Sequence, residues 1–191
     1  MTSLADASPD QLKEALAEII TKHALATGEF TLASGQKSHY FIDGKQATLD
    51  SRGAYCLARL ILEEVKDLNV TAVGGMTLGA DPIVGATIAV AGSLGMDLRG
   101  FIVRKERKER GMGDQVAGPL RNGDCVVMLE DVVTTGGMTL KAIEAVEREF
   151  DVTIVKVIAM VDRLQGSRQA IEDEGFDFSA IFTIEDLGIR P

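Results

Sequence analysis

Apolar residues recur along this chain with two periods, one helical and one extended. After Ser8 the period is helical, with Leu12, Leu16 and Ile19 on one stripe. Ser8 as N-cap, Pro9 at the first helical position and Gln11 closing a capping box predict where this helix starts. It should end before Gly28. A second stripe, Leu57, Leu60, Ile61 and Val65, predicts a helix from about Arg52 to Lys66. Between the two, Phe30 to Asp43 reads as two short extended pieces around a Ser34-Gly35 turn.

Beyond the second helix the pattern alternates. Val70 to Val73 is a short strand closed by Gly74-Gly75, and Asp81 as N-cap with Pro82 after it opens a helix. Leu98 to Val103 is the next strand. The run Cys125-Val126-Val127-Met128-Leu129 has the length and composition of a buried strand. Glu130 and Asp131 follow at its end, then Val132-Val133, the small-residue turn Thr134-Thr135-Gly136-Gly137, and a helical stripe of Leu140, Ile143, Val146 and Phe150. Asp151 to Val161 is a further strand, Ser167 to Glu174 a short helix ended by Gly175, and Phe178 to Thr183 a last strand. Strands alternating with helices predict an α/β fold: an open, mostly parallel twisted sheet flanked by helices on both faces. The length of 191 residues suits one domain, 1–191, with about residues 1–45 forming a small N-terminal lid, or hood, outside the sheet.

The stretch from Cys125 to Leu140 carries the first chemical suggestion. A strand, a turn of small residues and a helix start expose unpaired backbone N–H groups at the positive end of a helix dipole, which suits an anion. Two acids just before it suit hydroxyl groups of the same ligand. A phosphate at one end and hydroxyls at the other describe a ribose phosphate. The turn Met76 to Asp81 is a weaker version of the same junction, for which tight packing and ligand contact stand as equal readings.

Charge sharpens this picture. The net charge of −9 argues against nucleic acid and anionic membrane as partners. Five basic residues nevertheless fall within seven positions, Arg104 to Arg110, followed by Gly111 and Gly113. Such a run is commonly a solvated loop. Its position at the C-terminal end of a strand, where open parallel sheets bind ligands, favours an anion-binding, closing loop. Its arginines and lysines would stabilise a leaving group carrying several negative charges.

Other chemistries find little material. There is no GxxxxGK[ST] and no GxGxxG, and two histidines, His23 at a helix end and His39 in a turn, cannot supply a His-based triad readily. Cys56 and Cys125 lie among apolar residues and read as two buried thiols. Asp162-Arg163 closes a strand, either as a surface ion pair or at the ligand edge of the sheet. No signal-peptide pattern or long apolar run is present, so a soluble, cytoplasmic protein is expected.

Taken together, Leu129-Glu130-Asp131-Val132-Val133-Thr134-Thr135-Gly136-Gly137 resembles the 5-phosphoribosyl 1-diphosphate (PRPP) motif of the type I phosphoribosyltransferases. Phe30 to Gly35, Val103 to Glu106 and Val161 to Arg163 extend the resemblance, in order and over nearly the whole chain, to the orotate branch of that family. The resemblance implies transfer of a 5-phosphoribosyl group from PRPP to N1 of orotate, giving orotidine 5′-phosphate and pyrophosphate in pyrimidine biosynthesis. It implies that Glu130 and Asp131 contact the ribose hydroxyls and act in catalysis. Val132, Val133, Thr134, Thr135, Gly136, Gly137 and Met138 would cradle the 5′-phosphate end of PRPP. Arg104, Lys105, Lys108 and Arg110 would hold the pyrophosphate, with Lys108 as the catalytic-loop lysine, and Thr134 and Arg163 would contact orotate. Mg²⁺ is the implied cofactor, held mainly by PRPP and water rather than by a protein cage. A homodimer sharing the basic loop across its interface is implied as well.

Two positions depart from the family pattern. Arg110 stands where a histidine is usual, which keeps the charge but stays protonated, and Ala33 stands where some branches have lysine. The competing readings are a phosphoribosyltransferase for another base, such as a purine, and a non-catalytic PRPP-binding regulator. Arg163 and the Phe30–Gly35 segment favour an acidic pyrimidine, and Lys108 favours an enzyme.

Overall fold

The capping box at Ser8 forms as its sequence predicts. In the computed structural model, which describes residues 4–31, 37–106 and 114–190, Ser8 N–H donates to Gln11 Oε1 at 2.9 Å and Gln11 N–H to Ser8 Oγ at 3.3 Å. Helix α1, Pro9–Ile19, follows and continues through one wider turn, Ile20–Ala24. The chain then enters β1, Leu25–Thr31, which pairs antiparallel with β2, Lys37–Ile42, as a separate two-stranded sheet. The predicted Ser34-Gly35 turn lies outside the described residues. His39 stands on β2 rather than in a turn.

A four-residue helix α2, Lys45–Thr48, precedes α3, Ser51–Val65. Asp50 caps α3 by accepting from Arg52 and Gly53 N–H at 3.0 and 2.9 Å. The main sheet is built from β3 (Ala72–Met76), β4 (Arg99–Val103), β5 (Val116–Ala117), β6 (Cys125–Val133), β7 (Thr153–Asp162) and β8 (Phe178–Thr183). Their order is β5-β4-β3-β6-β7-β8, and all pairings are parallel except that of the short edge strand β5. Helices α4 (Ala80–Ser93), α5 (Gly137–Glu149) and α6 (Ser167–Asp173) complete the core.

Strand alternation divides the core into two layers. Val127 and Leu129 of β6 point to the layer built with α1, α3 and α4, while Val126 and Met128 point to the layer built with α5 and α6. Leu12, Leu16, Leu57 and Ile61 are all nearly inaccessible, as their helical stripes require. At the other end of the strands from the site, Arg99 pairs with Asp124, whose carboxylate also accepts from Thr71 Oγ1 at 2.9 Å. Cys56 is buried, but Cys125 is half-buried, because it opens β6 at the rim of the sheet; both thiols are free. Among the described residues no helix is long and apolar enough to cross a membrane.

One strand boundary and one helix start differ from the sequence pattern in ways that matter. Gly74 and Gly75 lie inside β3 rather than closing it. Each is needed for close approach: a Cβ on Gly74 would sit 2.4 Å from the Phe101 ring, and one on Gly75 would sit 2.1 Å from the Leu129 carbonyl oxygen. Helix α4 begins at Ala80 after Gly79, so Asp81 is in its first turn and not its N-cap. Asp81 Oδ2 instead accepts from Thr77 Oγ1 at 2.8 Å, tying down the preceding turn. Gly75→Ala should lower stability by about 3 kcal/mol, since a backbone carbonyl of the adjacent strand must shift. A urea midpoint unchanged from the parent, with equal slope, would refute that packing argument.

Sheet order also decides where a ligand can sit. From β3 the chain moves outward through β4 to β5, then returns to β6 beside β3 and moves the other way through β7 to β8. The segments leaving the C-terminal ends of β3 and β6 therefore diverge, and the crevice between them is the expected binding position of an open α/β sheet.

Candidate active site

Strand β6 does not stop at Leu129; it runs to Val133, with Glu130 opposite Ala159 and Val133 opposite Asp162 of β7. The acids are thus held within the sheet, not on the turn after it. Asp131 is buried, and its Oδ1 accepts from Val132 N–H at 2.9 Å. Two glycines admit its carboxylate: a Cβ on Gly44 would lie 2.8 Å from Oδ2, and one on Gly79 would lie 2.4 Å from Oδ1. The same Gly79 position lies 3.0 Å from Glu130 Oε1, so both acids converge on the turn that follows β3.

Glu130 accepts from Thr139 Oγ1 of α5 at 3.4 Å. Burial pushes its carboxyl up to about 8 from the ordinary 4.5, and the charge of Asp131 beside it adds to the rise. The folded protein therefore binds this proton more tightly than the unfolded chain does. The associated stability is fully present below about pH 4.5 and is lost as pH rises through about 8. Denaturant titrations from about pH 5 to about pH 9 should show stability falling faster in the parent than in Glu130→Gln, which has no proton to lose there. Parallel profiles would remove Glu130 as the source.

After Val133 the turn Thr134-Thr135-Gly136 leads into α5. Gly136 has φ +79°, a left-handed conformation that favours glycine, and a Cβ there would sit tightly, 3.2 Å from Ile171 Cγ1 and 3.3 Å from Ser167 O. No side chain caps this helix start, so its first N–H groups face a cavity of about 110 Å³ lined by Glu130, Val132, Val133 and the run Thr134 to Thr139. An anion is the natural occupant. A second cavity of about 350 Å³ shares Glu130, Val132 and Met138 with the first, so the two adjoin across these side chains. Its further walls are Met76, Thr77, Leu78, Gly79, Asp131, Lys105 and Lys45. Of the two readings of the weaker glycine junction, Gly74 and Gly75 show the packing one, and the turn from Thr77 to Gly79 lines the larger cavity.

Lys45 carries no motif and was not singled out from the sequence. It joins the cleft because α2 lies beside the end of β6, an approach that Gly44 permits. Its ammonium is 2.8 Å from Asp43 Oδ1; this hydrogen bond raises the lysine above its ordinary pKa, with Asp131 adding to the effect, and holds the Asp43 carboxyl below its own. An extended piece ending in Asp43-Gly44-Lys45 is the only sequence signal that could have pointed to it.

The basic segment is rooted firmly. Arg104 N–H donates to Gln115 O at 2.9 Å, and Gln115 Nε2 donates to Arg104 O at 2.7 Å. Glu149 of α5 accepts from the Gln115 and Val116 backbone N–H groups at 2.8 and 3.0 Å. Arg104 directs Nη1 to Asp114 O at 3.3 Å, across the loop base, whereas Lys105 lines the larger cavity. Lys108 and Arg110 lie outside the described residues, as does Ala33.

Arg163 follows β7 and is 8% exposed. Asp162 does not pair with it: its Oδ1 accepts from Leu164 N–H at 2.9 Å and Ser167 Oγ at 2.5 Å. Arg163 instead donates from Nε to the Tyr40 hydroxyl at 3.0 Å and stacks 4.8 Å from the centre of the Tyr40 ring. Tyr40 also escaped the sequence reading, because a tyrosine in a short strand carries no sign of a partner 123 residues away.

No family model matches the chain. It is 44% identical over 193 residues to an orotate phosphoribosyltransferase of Rhodopirellula baltica, covering 96% of this chain and 100% of that relative. Among solved structures, the orotate phosphoribosyltransferase of Mycobacterium tuberculosis H37Rv in complex with Fe(III) dicitrate superposes with a TM-score of 0.82 at 35% identity, covering 93% of this chain and 99% of that one. The same protein in complex with PRPP gives a TM-score of 0.78 at 33% identity, with the same coverage.

Proposed function

The chain belongs to the orotate phosphoribosyltransferase family, and from that premise we propose how its residues divide the transfer of a 5-phosphoribosyl group from PRPP to orotate. One observation carries the proposal: the uncapped start of α5 and the paired acids Glu130 and Asp131 line two adjoining cavities that meet at Glu130, with Lys105 on the wall of the larger. A ribose phosphate needs those neighbours in that order.

The backbone N–H groups and hydroxyls from Thr134 to Met138 hold the 5′-phosphate. Asp131 and Glu130 hydrogen-bond the ribose hydroxyls, and the Asp131 carboxylate favours the positive charge that develops on the ring as the C1–oxygen bond lengthens. The electron pair of that bond leaves with pyrophosphate, whose growing charge is met by Lys105, Arg104, Lys108 and Arg110. Orotate N1 releases its proton to solvent and uses that N–H electron pair for the new bond to C1, with its acidic group directed by Arg163 and its ring edge by Thr134. The chain acts as a single domain.

Mg²⁺ fits the donors of this cleft, which offers two carboxylates rather than a cage. Among the described residues no group of three or more His, Cys, Asp or Glu could hold a metal by itself. A bound Mg²⁺ would share its coordination between PRPP oxygens, water and the Glu130–Asp131 edge, and would supply countercharge for the pyrophosphate. A cytoplasmic homodimer, with the 104–110 loop shared between protomers, completes the proposal by family resemblance.

The test is a panel of bases. Purified protein with PRPP and Mg²⁺ is offered orotate, uracil, adenine, hypoxanthine and xanthine, and consumption of each is followed by absorbance. Orotate alone should turn over rapidly. Turnover of a purine without turnover of orotate would overturn the assignment, and PRPP binding without any turnover would return the regulator reading.

A further inference from the structure

We propose that Tyr40 is a positioning residue for base recognition, orienting the Arg163 guanidinium while leaving its charge free for an anionic pyrimidine. The inference rests on the reading that Arg163 contacts the acidic group of orotate, and it explains how this chain prepares Arg163 for that contact.

Three contacts define the arrangement. Arg163 N–H donates to Val133 O at 3.0 Å, fixing its backbone beside the strand end that leads into the phosphate turn. The Tyr40 hydroxyl accepts from Nε at 3.0 Å, and the Tyr40 ring, 5% exposed, lies under the guanidinium. Nη2 is buried and has no hydrogen-bond partner among the described residues. An unpaired buried donor on a charged group is costly, and it is rational where a ligand supplies the missing acceptor.

The choice of partner matters as much as the geometry. Asp162 is the adjacent carboxylate, but its Oδ1 accepts from Ser167 and Leu164, and it makes no ion pair with Arg163. Among the described residues no carboxylate forms an ion pair with Arg163. Tyr40 is neutral, so its hydroxyl fixes the Nε edge and its ring face favours the cation without cancelling the charge. With Nε taken, a carboxylate must approach the terminal nitrogens, the end-on fork of a guanidinium. A carboxylate in the place of Tyr40 would have neutralised Arg163 and removed its preference for an acidic base over a neutral one.

Tyr40→Phe tests this, because it keeps the ring and deletes only the acceptor. Initial rates are measured with orotate and PRPP varied in turn, alongside Arg163→Ala. KM does not depend on the fraction of enzyme folded, so a modest loss of stability leaves the comparison intact. Tyr40→Phe should raise KM for orotate about tenfold, with KM for PRPP changed less than about twofold. Arg163→Ala should raise the orotate KM further. If Arg163→Ala raises it and Tyr40→Phe does not, the positioning role is overturned and the Arg163 contact stands. If neither variant changes it, the Arg163 contact itself fails, and the inference with it. An equal rise in both KM values would mark Tyr40 as a general structural residue and also overturn the proposal.

Discussion

Asp131→Asn should lower kcat/KM for PRPP by about 10²–10³-fold while leaving the fold intact. Asparagine has the same shape, and shape is tightly constrained here: Gly44 and Gly79 bring backbone against both carboxylate oxygens, leaving no room for a Cβ at either glycine. On the proposed mechanism, the substitution removes negative charge beside a ribose that becomes cationic as pyrophosphate departs. Since that charge matters more in the transition state than in the bound substrate, kcat should fall more than PRPP affinity. Steady-state kinetics with a parallel PRPP titration would measure both. Activity within about threefold of the parent would remove Asp131 from the chemical step.

Lys108→Ala should have a comparable effect on the other half of the reaction, with kcat reduced by about 10²–10³-fold and PRPP binding changed only modestly. This expectation comes from the family resemblance and from charge, since a departing pyrophosphate gains negative charge that a nearby ammonium stabilises. Arg104 is directed at Asp114 O at the base of the loop and Lys105 lines the cavity wall, so both remain to hold PRPP when Lys108 is truncated. An unchanged kcat would take the 104–110 loop out of the mechanism. Loss of PRPP binding equal to the loss of kcat would make Lys108 a binding residue only.

Much of the fold was legible because its elements are specified locally. The capping box at Ser8, the stripes of α1 and α3, and β8 from Phe178 to Thr183 appear where periodicity puts them. Boundaries failed where a residue's role comes from a distant neighbour. Gly74-Gly75 resembles a strand ending, yet those glycines continue β3 because Phe101 and Leu129 occupy the space of their side chains. Glu130 and Asp131 look like the close of an apolar run, yet β7 pairs with β6 through Val133 and keeps them inside the sheet. The edge strand β5 is two residues long, too short for any periodicity to register.

The candidate site divides along the same line. From Glu130 to Met138, phosphate turn and paired acids are contiguous in the chain, so one stretch of residues could declare a ribose-phosphate cradle by itself. Composition and spacing also mark the basic loop, whereas Arg163 is pointed out by the family resemblance. Tertiary structure alone brought Lys45 and Gly44 beside Asp131, joined the Met76–Gly79 turn to the acids, and set Tyr40 against Arg163. The physical reason is that hydrogen-bonded helices and strands are encoded by neighbours a few positions apart. A cleft between diverging segments depends on strand order, and strand order is decided only when the whole core packs.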